Sequence, residues 1–249
     1  MKILIDNADI QEIKKAYEYF PITGVTCNPT ILKRTGRNPY DVLKEIREFI
    51  GADGDLHVQV VSAKAEDMVV EAHKIQEVLG KNTYIKIPVV REGLKAMKLL
   101  HAEGANITGT AIYNQMQGYL AGMAGAAYVA PYVNRIDNLG YNGVQVAKDI
   151  HDMLKHAGLK TEVIAASFKN SQQVLELAKY GLGASTIAPD VIEGLIKVDA
   201  AVLAVDAFTR DFEELCGEGK HHAEHLKGAH LKGAAQLISI DNKKTCTQI

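Results

Sequence analysis

One lysine stands in the middle of a strongly apolar segment of the chain. The stretch TYIKIPVV, residues 83–90, has the β-branched residues and the preceding turn of a β-strand, and its lysine is Lys86. Side chains alternate between the two faces of a strand, so Lys86 faces away from Ile85 and Ile87. Such a lysine is either a solvated residue on an edge strand or a buried amine. Because desolvation disfavours the charged form, a buried amine can attack a carbonyl carbon as a nucleophile.

Polar residues also end the other apolar runs of the sequence. Each has an ordinary structural explanation: Asp6 could cap the next helix, and Asn28 could belong to a turn. Arg135 could form an ion pair with Asp137, and Gln59 could be a satisfied polar group of the core. All these explanations would have to hold at one end of one sheet, which favours a functional site instead. The candidate residues, with Lys86, are Asp6, Thr26, Asn28, Gln59, Thr108, Thr110, Tyr132, Arg135, Ser167 and Lys169.

Short apolar runs alternate with amphipathic segments along the chain, and this order predicts the elements that hold the polar residues. Strands that alternate with helices imply right-handed βαβ units and a parallel sheet. Eight such units within 249 residues predict an α/β protein, a single closed (β/α)8 TIM barrel with an extra C-terminal helix. The active site of such a barrel lies at the carboxyl ends of its strands. The predicted strands are residues 2–6, 24–28, 56–61, 84–89, 106–110, 128–131, 162–166 and 184–187.

We predict one barrel domain over residues 1–216, which includes the extra helix, and a polar extension rich in His and Lys over residues 217–249. No linker of Pro, Gly or Ser interrupts the barrel pattern. Three histidines of the extension, His221, His222 and His225, have a metal-like spacing, but no other ligand is near in the sequence, so we predict no metal site. The predicted helices are residues 8–19, 39–50, 65–79, 91–103, 112–124, 143–156, 171–180, 190–195 and 198–215.

Composition and charge exclude several classes of function. The formal net charge is −2, which gives no electrostatic case for binding nucleic acid or an anionic membrane. No apolar run approaches the roughly 20 residues of a membrane helix, and the first residues turn polar too soon for a signal peptide. Three widely spaced cysteines, Cys27, Cys216 and Cys246, provide neither a disulfide framework nor a CxxC metal site. We therefore expect a cytoplasmic protein.

The motifs that surround these residues resemble those of the transaldolase family of class I aldolases. The similarity is greatest to the branch that includes fructose-6-phosphate aldolase, and it extends across residues 1–215 in the family's order. The resemblance implies a (β/α)8 barrel, no metal and no cofactor, and a homo-oligomer, a pentamer or decamer in which the last helix crosses to a neighbour. The motifs, with Asp6, are GVTCNPTIL (24–32), HVQVVS (57–62), YIKIPVV (84–90), GTAIY (109–113), YVAPYVNRID (128–137) and AASFKN (165–170).

The resemblance implies that Lys86 forms a Schiff base with a ketone substrate, whose C3–C4 bond then breaks. Asp6 would accept a hydrogen bond from a substrate hydroxyl and assist proton movements. Asn28 and Thr26 would hold the hydroxyls near the imine. A planar guanidinium suits a phosphate group because it can donate two hydrogen bonds at once. The phosphate of the aldehyde half would be held by Arg135, Ser167 and Lys169.

The resemblance implies that three residues either relay the proton of the substrate's C4 oxygen or position a water molecule. These are Thr110, Gln59 and Tyr132. Within the family that the sequence resembles, two positions distinguish a transferase from a lyase. Transaldolases of the family carry Glu at the position of Gln59 and Phe at that of Tyr132. They carry Asn and Ser at two substrate-binding positions, which are Thr108 and Ala130 in this chain. Gln59 and Tyr132 match the aldolase branch, whereas Thr108 replaces the aliphatic residue of that branch and leaves the choice of donor open.

The expected activity is therefore the cleavage of fructose 6-phosphate to dihydroxyacetone and glyceraldehyde 3-phosphate. One alternative is a transaldolase of the pentose phosphate pathway, which passes a dihydroxyacetone unit between sugar phosphates. A second is a barrel that binds sugar phosphates without turnover. An isomerase would need a Glu or His base at the carboxyl end of a strand, and His57 is predicted to begin the third strand, at the wrong end.

Overall fold

A closed barrel of eight parallel strands forms the first compact unit of the chain, residues 1–195. The computed structural model describes residues 1–225. Consecutive strands pair with one another and the eighth pairs with the first, so the barrel has no free edge. The prediction of a (β/α)8 TIM barrel is confirmed. The strands are β1 Lys2–Asp6, β2 Gly24–Thr26, β3 Asp55–Gln59, β4 Tyr84–Pro88, β5 Ile107–Ile112, β6 Tyr128–Pro131, β7 Glu162–Ala165 and β8 Ala184–Ile187.

Helices follow each strand of the barrel unit, and two of them are absent from the predicted set. These are α2 Pro29–Arg34 and α7 Val133–Asp137, which are too short to show a helical repeat of apolar residues. The start of α2 is fixed instead by Asn28, whose side chain accepts from the amide of Ile31 at 3.0 Å. The remaining helices are α1 Ile10–Tyr19, α3 Pro39–Ile50, α4 Ala65–Leu79, α5 Arg91–Ala102, α6 Gln115–Met123, α8 Gly143–His156, α9 Ser171–Tyr180 and α10 Pro189–Gly194.

Side chains that point out of the barrel pack against the helices and form the main core. Ile85 and Ile87 of β4 are fully buried there. The opposite faces of the strands line the interior, where a small apolar cluster lies apart from the main core. Alternation along β4 therefore places Lys86 inside the barrel. The interior cluster consists of Leu4, Tyr128, Ala130, Ile164, Ala166 and Ala184.

Polar side chains close the amino end of the barrel interior. Nζ of Lys2 lies 3.8 Å from a carboxylate oxygen of Asp55 and donates to the hydroxyl of Tyr128 at 3.4 Å. The rings of Tyr84 and Tyr128 meet edge to face with their centroids 5.3 Å apart. This filling leaves the carboxyl ends of the strands as the approach to the interior.

The second compact unit, residues 196–249, contains α11 Asp199–Cys216 and α12 His222–His225. The first of these is the predicted extra C-terminal helix. None of its side chains is buried, although the helix is rich in apolar residues. Its exposed large apolar side chains, which we call the α11 patch, are Val202, Leu203, Val205, Phe208 and Leu215.

The predicted domain boundary at residue 216 stays a prediction, because a single chain does not test what α11 packs against. The predicted extension begins inside the second unit, and its residues 226–249 lie outside the described residues. Within the described part of the chain, no helix has the length and apolarity needed to cross a membrane.

Candidate active site

Lys86 lies buried inside the barrel at the middle of β4. Only 6% of its surface is exposed, and its Nζ donates a hydrogen bond to the main-chain oxygen of Cys27 at 2.9 Å. Among the described residues, no carboxylate forms an ion pair with it. The hypothesis of a solvated edge lysine is wrong, since a closed barrel has no edge strand. An amine in this setting is accessible to an electrophilic carbon and is not held by a counter-ion.

Asp6, at the end of β1, belongs to a row of hydrogen-bonded side chains that continues across β2 and β8. The hydroxyl of Thr26 donates to Oδ1 of Asp6 at 2.7 Å, and the same hydroxyl lies 2.6 Å from that of Thr186. Burial raises the pKa of Asp6, although the charge of Lys86 and the hydrogen bond from Thr26 oppose the shift. Asp6 is therefore a carboxyl group beside Lys86 that can hold a proton at a higher pH than an exposed aspartate.

The observed helix caps test the structural explanations given above for two of the polar residues, Asp6 and Asn28. The cap of α1 is Asp9, which accepts from the amide of Gln11 at 2.8 Å, so the hypothesis that Asp6 caps this helix is wrong. Asn28 does serve local structure, because its side-chain oxygen caps α2. No hydrogen bond from its amide nitrogen is found among the described residues, so the Asn28 amide can also donate to a ligand.

A third group of polar atoms lies around the carboxyl ends of β3, β5 and β6. The hydroxyls of Thr110 and Tyr132 lie 2.9 Å apart. Gln59 pairs in register with Lys86, and its buried Oε1 has no hydrogen-bond partner within the described residues. A buried acceptor without a partner is costly, so this oxygen suits a donor supplied by a ligand or a water. The group provides two hydroxyls and an amide beside Lys86, of which only the phenol is ionisable.

Arg135, on α7, is an exposed cation at the rim of the site. Its guanidinium carbon lies 4.6 Å from the ring centroid of Tyr132, and hydrogen bonding to Tyr113 raises its pKa. The hypothesised ion pair with Asp137 is wrong, since no such pair occurs among the described residues and Asp137 accepts from Gln173 at 2.6 Å. Two tyrosines therefore orient the guanidinium without a carboxylate that would compete with an anionic ligand.

Strained backbone marks two segments near this rim. Ala111, in the irregular last part of β5, and Ser167, in the loop after β7, have φ angles of 55° and 60°, in the left-handed region where a non-glycine residue costs roughly 1–3 kcal/mol. The carbonyl of Ser167 accepts from the amide of Asn134 at 2.9 Å, which ties the loops after β6 and β7 together. Lys169 lies exposed two residues further on. The three residues predicted to hold a phosphate, Arg135, Ser167 and Lys169, thus lie on these two linked loops.

Two other predicted residues lie deeper, inside the barrel. Thr108 and Ala130 are 1% and 3% exposed. The hydroxyl of Thr108 lies 2.9 Å from Nδ1 of His57, whose ring is fully buried. His57 is in the middle of β3, but it pairs in register with Tyr84, the first residue of β4, and its ring stacks on that of Tyr84, so it lies on the amino side of Lys86. The predicted strand began one residue too late, since Asp55 is the first residue of β3.

Sequence reasoning missed three residues of the site. Thr186 is buried and bonded to Thr26, and the signal for it was a polar residue inside the eighth apolar run. Tyr113 lies within a quoted motif but had no role, although it orients Arg135. The third is His57, whose contact with Thr108 spans two strands and leaves no trace in local spacing.

A cavity of about 610 Å³ opens beside Asp6, where it is also lined by Arg34 and Ala188, and within the described part of the chain Asp6 is the one candidate residue in its lining. Among the described residues, no group of three or more His, Cys, Asp or Glu side chains could hold a metal ion. The structure thus places a buried lysine, a carboxyl group and a cationic rim at one end of the barrel.

Comparison with known proteins finds one family along most of the chain. The model of the family described as transaldolase/fructose-6-phosphate aldolase matches residues 3–237. A "probable transaldolase" of Clostridium botulinum is 41% identical over 213 residues, which are 86% of this chain and 98% of the relative. A "probable fructose-6-phosphate aldolase" of Streptococcus pneumoniae is also 41% identical over 213 residues, 85% of this chain and 96% of the relative. A "probable transaldolase" of Thermodesulfovibrio yellowstonii is 39% identical over 215 residues, 86% and 99% of the two chains.

A solved structure, a flavocytochrome b2 variant with sulfite bound, shares the barrel with a TM-score of 0.54. It is 9% identical, and the match covers 76% of this chain and 56% of that chain. At this identity the likeness shows the fold alone, because barrels of this kind carry many unrelated reactions.

The variant Asp6→Asn should be more stable than the wild type at neutral pH. Because burial places the folded-state pKa of Asp6 above its ordinary value of 3.8, the ionised carboxylate destabilises the folded state above that pKa. This cost disappears as the pH falls through the folded-state pKa toward the ordinary value. We expect the midpoint of thermal unfolding to rise by roughly 2–4 °C at pH 7 and the gain to shrink as the pH is lowered.

Asp9→Asn is the matched control, because an asparagine keeps the helix cap. It should leave the midpoint nearly unchanged at pH 7. If Asp6→Asn instead lowers the midpoint at pH 7, the ionised carboxylate of Asp6 stabilises the folded state, which contradicts the prediction.

Proposed function

The chain belongs to the transaldolase/fructose-6-phosphate aldolase family, and from this we propose that it is a Schiff-base aldolase that reversibly cleaves fructose 6-phosphate to dihydroxyacetone and glyceraldehyde 3-phosphate. The observation that carries the proposal is the buried amine of Lys86, which has a main-chain carbonyl as its hydrogen-bond partner and, in the described residues, no ion pair. Neither a metal nor a cofactor is required by this chemistry, because a protonated imine is itself the electron sink.

The first step joins the nitrogen of Lys86 to C2 of the ketose. The amine attacks the carbonyl carbon, and one proton passes from the attacking nitrogen to the carbonyl oxygen, which becomes a hydroxyl. One further proton lets this hydroxyl leave as water, and a protonated imine remains. We assign the transfer of the first proton and the supply of the second to Asp6, because burial lets its carboxyl group hold a proton near Lys86. Asn28 and Thr26 would hold the hydroxyls of the carbons next to the imine.

The second step breaks the C3–C4 bond of the imine. The C4 hydroxyl loses its proton, C4 becomes an aldehyde carbon, and the electron pair of the broken bond forms the C2–C3 double bond of an enamine. The proton would be relayed by a bound water and the linked hydroxyls of Thr110 and Tyr132, and its acceptor would be the carboxylate of Asp6, which has given up its own proton in the first step. The aldehyde half leaves as glyceraldehyde 3-phosphate, whose phosphate the cationic rim around Arg135 would hold.

The fate of the enamine separates a lyase from a transferase. In a lyase, C3 takes up a proton, water hydrolyses the imine, and dihydroxyacetone leaves. Tyr132 supports this outcome because its phenol, which is hydrogen-bonded to Thr110, can donate a proton through a water. Gln59 supports it because an amide cannot hold the proton that a glutamate would hold in its place.

A transaldolase is the second candidate, and the names of the relatives from C. botulinum and T. yellowstonii favour it. In that reaction the enamine attacks the aldehyde carbon of another sugar phosphate, so no free dihydroxyacetone appears. A barrel that binds sugar phosphates without turnover is the third hypothesis. All three share the cationic rim, and they differ in whether Lys86 becomes covalently modified and in where the three-carbon unit goes.

We also propose that α11 mediates a homo-oligomer, a pentamer or decamer. The α11 patch belongs to a helix without buried side chains, and it is expected to be covered because large exposed apolar patches mark association sites. A second copy of the chain is the occupant we propose, since the resemblance to the aldolase branch implies a helix that crosses to a neighbouring barrel.

Sodium borohydride should trap the substrate on Lys86. Reduction of the imine formed with fructose 6-phosphate or dihydroxyacetone gives a stable secondary amine, which mass spectrometry of peptides locates. We expect one adduct, on the peptide that carries Lys86, and loss of adduct and activity in Lys86→Met. Lys169→Met is the matched control and should still be labelled. An adduct on another lysine, or none, would refute the Schiff-base mechanism.

Fructose 6-phosphate alone should yield free dihydroxyacetone and glyceraldehyde 3-phosphate. Tyr132→Phe should slow this release by roughly 100-fold, as expected for loss of a general acid–base group, whereas Tyr141→Phe, at an exposed phenol, should not change it. Gln59→Glu should shift the products toward transfer to erythrose 4-phosphate. If the wild type forms products only when erythrose 4-phosphate is added, it is a transaldolase.

Phe208→Glu should break the oligomer, because it places a charge within the α11 patch. Light scattering after size-exclusion chromatography should show the wild type at several chain masses and the variant at a smaller mass. Lys155→Glu, which makes the same kind of charge change at an exposed position of α8 outside the α11 patch, is the control and should leave the mass unchanged. A wild type that elutes as a single chain would contradict the proposal.

A further inference from the structure

A buried glutamine of α9 joins the two loops of the rim, and no step of the proposed mechanism uses it. Gln173 is only 7% exposed, and the other buried residues of α9, Val174 and Leu177, are apolar. Its Oε1 accepts from the amide of Lys169 at 2.8 Å, and its Nε2 donates to Oδ2 of Asp137 at 2.6 Å. A buried amide is costly unless it is hydrogen-bonded. Both ends of this side chain are paired, one with the loop after β7 and one with α7.

Asp137, the last residue of α7, extends this chain of hydrogen bonds to α8. Its Oδ1 accepts from the amide of Gly143, the first residue of α8, at 2.7 Å. A Cβ atom at Gly143 would lie 2.1 Å from the main-chain oxygen of Val133, so the starts of α7 and α8 are in close contact. The carboxylate of Asp137 therefore fixes the end of α7 against both α8 and α9.

A helix as short as α7 depends on such bonds for its orientation. It has five residues, and a helix of that length is not stable alone, because few internal hydrogen bonds offset the entropy of ordering the chain. The amide of Asn134 bonds its start to the loop after β7, and Asp137 bonds its end to Gln173. Arg135 lies between these two anchors. The anchors therefore set the backbone from which the guanidinium of Arg135 reaches the rim.

The loop after β7 is held in the same way. Ser167 has a left-handed φ of 60°, and such strain persists only where the surrounding structure fixes the backbone. The carbonyl of Ser167 accepts from the amide of Asn134, and two residues later the amide of Lys169 donates to Gln173. The strained residue thus lies between one bond to α7 and one bond to α9. Gln173 is bonded to both segments that carry the predicted phosphate ligands.

We propose that Gln173 is a positioning residue that sets the preference of the site for aldehydes with a phosphate group. It holds the backbone of Arg135 in a fixed position relative to that of Ser167 and Lys169. An anion then meets donors that are already in place, which lowers the entropic cost of binding. The chemistry at Lys86, deeper inside the barrel, does not require this bridge. The role rests on the proposed aldolase function and adds to it the support on which recognition of the acceptor depends.

The test compares two acceptors in the synthetic direction, with dihydroxyacetone as the donor. The quantity is the ratio of kcat/KM for glyceraldehyde 3-phosphate to kcat/KM for glyceraldehyde. Gln173→Leu removes both bonds and should lower this ratio about tenfold, as expected for the loss of one hydrogen bond to a charged group. The change should lie mainly in KM for the phosphorylated acceptor. Gln172→Leu, at the exposed neighbouring position of α9, is the matched control and should keep the ratio.

A second variant tests the order of donors and acceptors along the bridge. Asp137→Asn should lower the ratio by a similar factor, because two donors then face each other however the amides of residues 137 and 173 are turned. Adding Gln173→Glu restores the match, since the new carboxylate accepts from the amide of Lys169 and from the new asparagine. The double variant Asp137→Asn, Gln173→Glu should therefore recover the ratio of the wild type.

Two results would overturn the inference. One is an equal loss of activity with both acceptors in Gln173→Leu and Asp137→Asn, which would mean a structural role alone. The other is a double variant that keeps the lowered ratio of Asp137→Asn. If Gln173→Leu fails to fold, the comparison of Asp137→Asn with the double variant decides the outcome by the same ratio.

Borohydride trapping with dihydroxyacetone, which has no phosphate group, separates this failure from failure of the proposed function. A wild type without an adduct on Lys86 refutes the aldolase itself, and the role of Gln173 fails with it. Adducts on Lys86 in the wild type, in Gln173→Leu and in Asp137→Asn, together with an unchanged acceptor ratio, leave the aldolase intact and overturn the role of Gln173 alone.

Discussion

Closure of the sheet is the constraint on which the candidate site depends. Eight parallel strands without a free edge confine every second side chain to an interior that the helices do not reach. Such an interior disfavours charge, yet it contains Lys86, Asp6 and His57. Each has a local hydrogen-bond partner: a carbonyl for Lys86, and a threonine hydroxyl for each of the other two. These hydrogen-bond partners are neutral, and among the described residues no ion pair fixes the charge of Lys86 or Asp6, although the nearby charge of Lys86 opposes the rise in the pKa of Asp6.

The deep part of the site and its rim rely on different physical effects. Inside the barrel, hydrogen bonds between fixed groups such as Thr26 and Asp6 determine where single protons can lie. At the rim, Arg135 and Lys169 are exposed, and they offer charge and planar donors to an anion. The strained backbone of Ser167 lies at the junction, where a loop must turn sharply to reach the rim. In the proposed function, attraction of the phosphate and proton transfer near the imine would therefore rest on separate residues.

The sequence predicted the barrel well because its signal is periodic. Alternation along residues 84–88 was enough to place Lys86 inside, since one face of β4 had to meet the helices. Two short helices escaped prediction because a capping residue, Asn28 in the case of α2, starts them without an apolar repeat. The contact between His57 and Thr108 could not be predicted, because the stagger of a closed barrel brings side chains together from strands that are not neighbours. The hypothesis that Asp6 caps α1 failed because Asp9, three residues later, occupies the cap position.

The hydrogen bond from Lys86 to the carbonyl of Cys27 has a consequence for observing the reaction. A primary ammonium group carries three hydrogens, whereas a protonated imine carries one on the same nitrogen. The hydrogen of the imine nitrogen either remains hydrogen-bonded to the carbonyl oxygen of Cys27 or points away from it. The infrared stretching frequency of this carbonyl differs between the two cases. Isotopic labelling of the main-chain carbonyl carbon of Cys27, directly after β2, would let infrared spectroscopy follow formation of the proposed covalent intermediate without any change to a side chain.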